Sequence, residues 1–261
     1  MSFMKLHANG IDIHYEISGR GPCVMFAHSL GSDLSIWEAQ KSALAARHTV
    51  LCHDLRGHGG TDAPAGACDF DLLAADAVAL LDALGIERAS FVGISLGGMI
   101  GQAVALAAPQ RIERLVLAST ASRYPPEART AWAERIRQVE ATGLEPLVGP
   151  TLERWFTAPY RAAHPEVMAR IGGLIRATPV AGYVGCCHAI ATLDFTARLK
   201  ALAMPTLVLA GEQDQGTPPA MAREIAAAIP GARLEIIGNA AHLANIEQAD
   251  AFTGFLAEFL G

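Results

Sequence analysis

The stretch Phe91-Val92-Gly93-Ile94-Ser95-Leu96-Gly97-Gly98 limits what this chain can fold into more than any other. An apolar run leads into a serine with a glycine two residues away on either side, and an apolar helical pattern starts directly after it. A serine at the tip of a strand-to-helix turn takes a strained backbone conformation, and a Cβ at either flanking glycine would collide with the strand or the helix. At a helix N-terminus the serine also sits beside free N–H groups that favour developing negative charge. A plain turn with an incidental serine would read the same over five residues, so the surrounding chain has to decide.

The surroundings alternate. Residues 11–17 switch between apolar and polar, as one side of an antiparallel hairpin does, with a turn at 18–22. Residues 23–27, 48–52, 114–118, 205–210 and 233–237 are short, nearly unbroken apolar runs, and Phe91-Val92 begins the elbow strand; such runs mark strands covered on both faces. Helical spacing is expected over 36–46, 69–84, 97–108, 218–229 and 246–260, with Gly85 and Pro109 as stops. This order predicts an α/β fold: a mostly parallel central sheet with helices on both faces. From 122 to 199 the patterns are helical without intervening strands, and Tyr124, Trp132, Trp155, Phe156, Tyr160 and Tyr183 gather there. That segment is expected to be an inserted helical cap over the carboxyl edge of the sheet, with 1–121 and 200–261 forming the core of a single domain.

Composition narrows the classes. Of 261 residues, 51% are hydrophobic and 18% charged, enough to bury a large core and too apolar for disorder. The formal charge of -6 gives no reason to expect nucleic acid, and no apolar run is long enough to span a bilayer. The first seven residues lack the long apolar segment of a secretory leader, and five cysteines without CxxC spacing suggest neither a disulfide framework nor zinc. The expectation is a cytoplasmic, reduced protein acting on a small molecule, with no cofactor or metal and an oligomeric state the chain does not reveal.

An exposed serine needs a base and an orienting acid to become a nucleophile. The strand at 205–210 ends in Gly211-Glu212-Gln213-Asp214, and that at 233–237 ends in Gly238-Asn239-Ala240-Ala241-His242. Both ends fall on the same sheet edge as Ser95. His242 is therefore the candidate base and Asp214 the candidate acid, with Glu212 as the alternative carboxylate. The backbone N–H of Leu96, and that of Leu30 in the loop His28-Ser29-Leu30-Gly31, are the candidate oxyanion donors. His28, His53 and His58 precede the elbow and read as loop structure.

With these residues in hand the chain resembles the α/β-hydrolase superfamily from end to end. Within it, residues 28–37, the run Asp54-Leu55-Arg56-Gly57-His58-Gly59, Arg154-Trp155-Phe156-Thr157 and the tail 241–252 resemble 3-oxoadipate enol-lactonases. Dehalogenases and epoxide hydrolases of this fold carry aspartate where this chain has Ser95. His28 stands where the lactonases usually have asparagine and His188 where they tend to have glutamate, both expected to be able to line the pocket.

The resemblance implies a substrate: a five-membered enol-lactone bearing an acetate side chain, opened to 3-oxoadipate in the β-ketoadipate route of aromatic degradation. It also implies substrate-binding roles. Of the cap arginines Arg123, Arg129, Arg135, Arg137, Arg154, Arg161, Arg170 and Arg176, any of which could bind the substrate carboxylate, Arg135 by its spacing from Trp132 matches an arginine of the family's cap and is chosen for that role. Trp132 and Trp155 would wall the pocket or pack the cap onto the sheet, and Ser29 is counted with the substrate contacts. The same core would equally serve a general carboxylesterase or a hydrolase of carbon–carbon bonds. A signal-binding receptor that turns over very slowly is the alternative of another class.

Overall fold

The apolar runs become the middle of one sheet. A computed structural model describes residues 4–261, so Met1, Ser2 and Phe3, part of the stretch read as lacking a leader, lie outside the described residues. Eight strands stand in the order β1-β2-β4-β3-β5-β6-β7-β8. They are β1 Met4–Ala8, β2 Ile11–Gly19, β3 Cys23–Ala27, β4 Thr49–His53, β5 Ala89–Ile94, β6 Ile112–Ala118, β7 Thr206–Gly211 and β8 Arg233–Ile237. β2 runs antiparallel to both β1 and β4, which is the hairpin read at 11–17, and every other pairing is parallel. All residues of β3, β5 and β7 are buried, as strands covered on both faces must be.

The helices are α1 Glu38–Leu44, α2 Phe70–Ala83, α3 Leu96–Ala107, α4 Pro126–Thr142, α5 Val148–Trp155, α6 Ala158–Ala163, α7 Pro165–Ala177, α8 Val180–Ala191, α9 Pro219–Ala228, α10 Ala244–Glu247 and α11 Ala249–Leu260. Two differ from the periodicity. The stretch expected as one helix over 36–46 begins as a 3-10 turn, Leu34–Trp37, capped by the Asp33 carboxylate on Ser35 N–H at 2.9 Å. The closing helix starts two residues early and breaks at Gln248, whose side chain donates to Asn239 O at 3.0 Å. In both places a side chain bonds to backbone at the boundary, a detail that apolar spacing does not carry.

Five helices, α4 to α8, lie between β6 and β7. The chain leaves the sheet and returns to it at adjoining points. Arg123 and Asp194 form an isolated antiparallel bridge, Phe195 N–H donates to Ser122 O at 2.7 Å, and the Ser122 and Thr196 hydroxyls are 2.8 Å apart. The connection β3 to β4 moves one way across the sheet while β5 to β8 move the other. The loops after β3 and β5 therefore diverge and leave a crevice at the carboxyl edge, where α/β sheets hold ligands.

Candidate active site

Ser95 is the residue between β5 and α3, and its backbone has φ 57° and ψ −116°. A side chain in this region is strained, and the neighbours hold it there. Ser95 N–H donates to Ala118 O at 2.9 Å, and Thr120 Oγ1 donates to Ser95 O at 2.7 Å. The glycines are a spatial necessity. A Cβ on Gly93 would lie 2.2 Å from Gly97 O, and one on Gly97 would lie 2.1 Å from Ala27 O. The same close approach lets Gly97 N–H donate to His28 O at 3.0 Å, binding the elbow to the loop after β3.

Asp214 and His242 follow β7 and β8, and His242 Nδ1 is 2.8 Å from Asp214 Oδ2. The other carboxylate oxygen accepts from Gly216 N–H at 2.8 Å and Thr217 N–H at 3.0 Å, and Thr217 Oγ1 donates to Oδ2 at 2.8 Å. Burial alone would raise the Asp214 carboxyl, but the His242 charge and hydrogen bond, with the Thr217 donors, hold it below its ordinary value. An acceptor at Nδ1 puts the proton there and leaves Nε2 free to act as a base. Glu212 is exposed and accepts only from Asn239 N–H at 3.4 Å, so Asp214 is the acid that meets His242. Trp155 stacks on the His242 ring at 6.2 Å, with 23° between the planes.

Ser95 and His242 open into one cavity of about 330 Å³ under α4, α5, α7 and α8. No hydrogen bond joins the two side chains, a common state before substrate tightens the geometry. Leu30, Tyr124, Trp132, Arg135, Thr151, Arg154, Trp155, Tyr183 and Thr217 also line the cavity. Neither Leu30 N–H nor Leu96 N–H donates to another described residue. Arg135 Nη1 donates to Tyr183 Oη at 3.2 Å, and its guanidinium lies 5.4 Å from the Trp132 ring centroid. Arg154, not singled out as a substrate contact by sequence reasoning, donates from Nη2 to Thr151 Oγ1 at 3.2 Å. In the sequence it stands only as one of the cap arginines named above, beside Trp155 in Arg-Trp-Phe-Thr.

Three sequence readings are corrected. Ser29 does not line the cavity; it is fully buried, its hydroxyl 3.0 Å from that of Ser32. His188 is exposed on α8 and does not line it either. His28 is buried in the loop, with Nδ1 2.8 Å from Ser29 O and Nε2 accepting from Leu55 N–H at 3.0 Å. Its partner His58 accepts from Gly31 N–H at 3.0 Å. Both rings stay neutral: burial and then His58 push His28 well below the usual histidine range, and burial brings His58 to about 4. They brace the loop that carries Leu30. A further brace crosses from the helices to the sheet. Glu247 accepts from Ala241 N–H at 2.8 Å through one oxygen, and from Thr157 N–H and hydroxyl through the other.

Among the described residues no group of three or more His, Cys, Asp or Glu is placed to hold a metal ion, and no helix is long and apolar enough to cross a membrane. Residues 22–249 match the family described by the α/β-hydrolase fold. The chain is 35% identical to 3-oxoadipate enol-lactonase 2 of Acinetobacter baylyi over 249 residues, covering 95% of this chain and 92% of that protein. Its fold matches the crystal structure of the enol-lactonase from Burkholderia xenovorans LB400 with a TM-score of 0.95, at 39% identity over 98% of this chain and 99% of the other. A malate-bound thermophilic esterase from Thermogutta terrifontis matches with a TM-score of 0.94, at 28% identity over 100% and 98%.

Proposed function

The chain belongs to the α/β-hydrolase family, and from that premise we propose that it hydrolyses 3-oxoadipate enol-lactone through an acyl-enzyme on Ser95. One observation carries the reading: Ser95, His242 and the cationic Arg135 line the same cavity. The names of the lactonase relatives support the substrate.

The steps follow from the chemistry of the groups. Ser95 Oγ attacks the lactone carbonyl as His242 Nε2 takes its proton, and Asp214 holds the ring tautomer and balances the imidazolium. The N–H groups of Leu30 and Leu96 receive the tetrahedral oxyanion, a pair whose loss by one member typically raises a barrier by roughly 2.7–4 kcal/mol. The ring C–O bond then breaks. Its leaving group is an enolate, stabilised by delocalisation so that little general-acid help is required; it takes up the proton that His242 received, becomes a ketone and leaves His242 neutral. Water, deprotonated by His242, releases the second carboxylate from Ser95. Arg135 binds the acetate carboxylate throughout, and the helices α4 to α8 act as the cap that keeps this contact out of bulk water.

The test is steady-state hydrolysis of the enol-lactone beside a neutral p-nitrophenyl ester, with wild type and Ser95→Ala. We expect kcat/KM on the lactone at least about a hundredfold above the ester, and a loss of roughly 10³-fold or more in the variant. Ester turnover without lactone preference would assign the protein to the general carboxylesterases. Turnover of neither would point to a receptor.

A further inference from the structure

Arg135 comes from α4 and Arg154 from α5, and both reach the cavity that Ser95 opens into. Among the described residues five other arginines pair with carboxylates: Arg56 with Asp76, Arg111 with Asp82, Arg123 with Glu224, Arg176 with Glu145 and Arg233 with Glu258. Arg135 and Arg154 form no ion pair among the described residues, and no Asp or Glu lines the cavity. Each guanidinium has five N–H donors in a planar fork, and each donates one hydrogen bond to a neutral hydroxyl, Tyr183 Oη for Arg135 and Thr151 Oγ1 for Arg154. The two charges feel one another: burial first and Arg135 second pull the Arg154 guanidinium below its ordinary range. Two half-buried like charges lining one cavity repel one another, and an anion lying against both relieves that repulsion.

We propose that Arg154 joins Arg135 in a single carboxylate subsite, and that this two-guanidinium wall makes the cavity hold linear dicarboxylates, the class of its own hydrolysis product. The second clause rests on the lactone reading above. Opening the lactone and hydrolysing the acyl-enzyme leaves a chain with a carboxylate at each end. One end lies at Ser95, against His242 and the Leu30 and Leu96 N–H groups. The other lies on the two arginines, where a carboxylate's two oxygens accept from both forks. A dicarboxylate therefore satisfies both ends of the cavity, and a monocarboxylate of equal length satisfies one.

The experiment uses p-nitrophenyl acetate turnover as the readout and adipate and hexanoate as the probes, so each variant is read on its own residual rate. In the wild type we expect adipate to inhibit competitively with a constant at least about tenfold below that of hexanoate. Arg154→Met should raise the adipate constant by about tenfold or more, and Arg154→Lys should recover part of that loss because it restores charge without the fork. The double variant Arg135→Met/Arg154→Met should lose less than the product of the single losses, since the two share one carboxylate. Equal wild-type constants for the two probes would overturn the dicarboxylate clause, whether or not any variant folds. An adipate constant unmoved by Arg154→Met, or strictly multiplicative losses, would overturn the shared subsite. An inert lactone with adipate-selective inhibition would sink the lactone reading alone. A lactone that is turned over while Arg154→Met leaves adipate binding unchanged would sink this inference alone.

Discussion

The elbow between β5 and α3 and the helices between β6 and β7 face the same cavity but are built on different terms. At the elbow, the backbone does the positioning: β5 is buried at every residue, Ser95 has a positive φ, and two glycines leave no room for a methyl group. In α4, only Ile136 and Val139 are buried, and the helix reaches the cavity through long side chains, Trp132 and Arg135. The comparison teaches a division of labour. On the proposed roles, the reacting groups sit where the main chain is fixed by close backbone contacts, whereas the groups proposed to contact the far end of a substrate sit on a helix with few buried residues.

The largest expected effect lies at the rigid end. Asp214→Asn keeps the size of the side chain but reverses a donor and an acceptor at His242 Nδ1, and kcat should fall by about 10³- to 10⁴-fold with folding retained. A fall under tenfold, in steady-state assays, would remove Asp214 from the mechanism. Gly97→Ala places a methyl group 2.1 Å from Ala27 O, and we expect a loss of about 4 kcal/mol or more, read from urea unfolding. Wild-type stability in that variant would break the contrast at its root.

The joint between the two regions should respond less. Glu247→Gln disturbs a carboxylate that holds Thr157 and Ala241 together, and about 1–3 kcal/mol of stability should go with it. Because Ala241 precedes His242, kcat/KM should drop several-fold in parallel. Unchanged melting and turnover would mean that the two regions are not joined there.

Acid should act on the braces before it acts on the helices. His53 and His58 are buried and titrate at about 4 in the folded protein against 6.5 for the free group. The unfolded chain therefore binds protons that the folded one refuses, so their contribution is complete above about pH 6.5 and is lost progressively down to about pH 4. Asp214 acts lower still: its depressed carboxyl stabilises the fold above the ordinary carboxylate range and loses that contribution as pH falls through its folded value. Urea midpoints measured from pH 7.5 to 4 should decline, and a flat profile would contradict the neutral, buried rings. The smallest effect belongs to the helices. A Cβ on Gly173, inside α7, meets nothing within 4 Å, and Gly173→Ala should stabilise by about 0.5–1 kcal/mol without loss of turnover.

What the residues alone disclosed follows the same division. Cys23–Ala27 and Arg233–Ile237 were readable to the residue because turn signals bound each run, Gly21-Pro22 before the first and Gly231 and Gly238 around the second. Asp69 and Gly85 marked the ends of α2 for the same kind of local reason. That Asp214 and His242 meet was legible because each lies a few residues past a strand end. Arg154 was not set apart from the other cap arginines, because what makes it notable is that it shares a cavity with Arg135 and forms no ion pair among the described residues, and that depends on how α4 and α5 meet. Ser29 was misread because adjacency to Leu30 says nothing about which way a hydroxyl turns. The break at Gln248, where φ is −127° and ψ 56°, comes with a bond to Asn239 nine residues away, and helical spacing carries no sign of either.

The bridge between Arg123 and Asp194 has a consequence for how such a protein changes over generations. Because the chain departs and rejoins at touching points, the excursion between them is already a closed loop, and doubling its length would alter the closure entropy by only about 0.6 kcal/mol. Insertions, deletions or wholesale exchange of those helices leave the two anchoring strands where they are. If those helices set the substrate, as proposed above, a lineage could trade one substrate for another by changing the excursion while the strained backbone at Ser95 stays as it is.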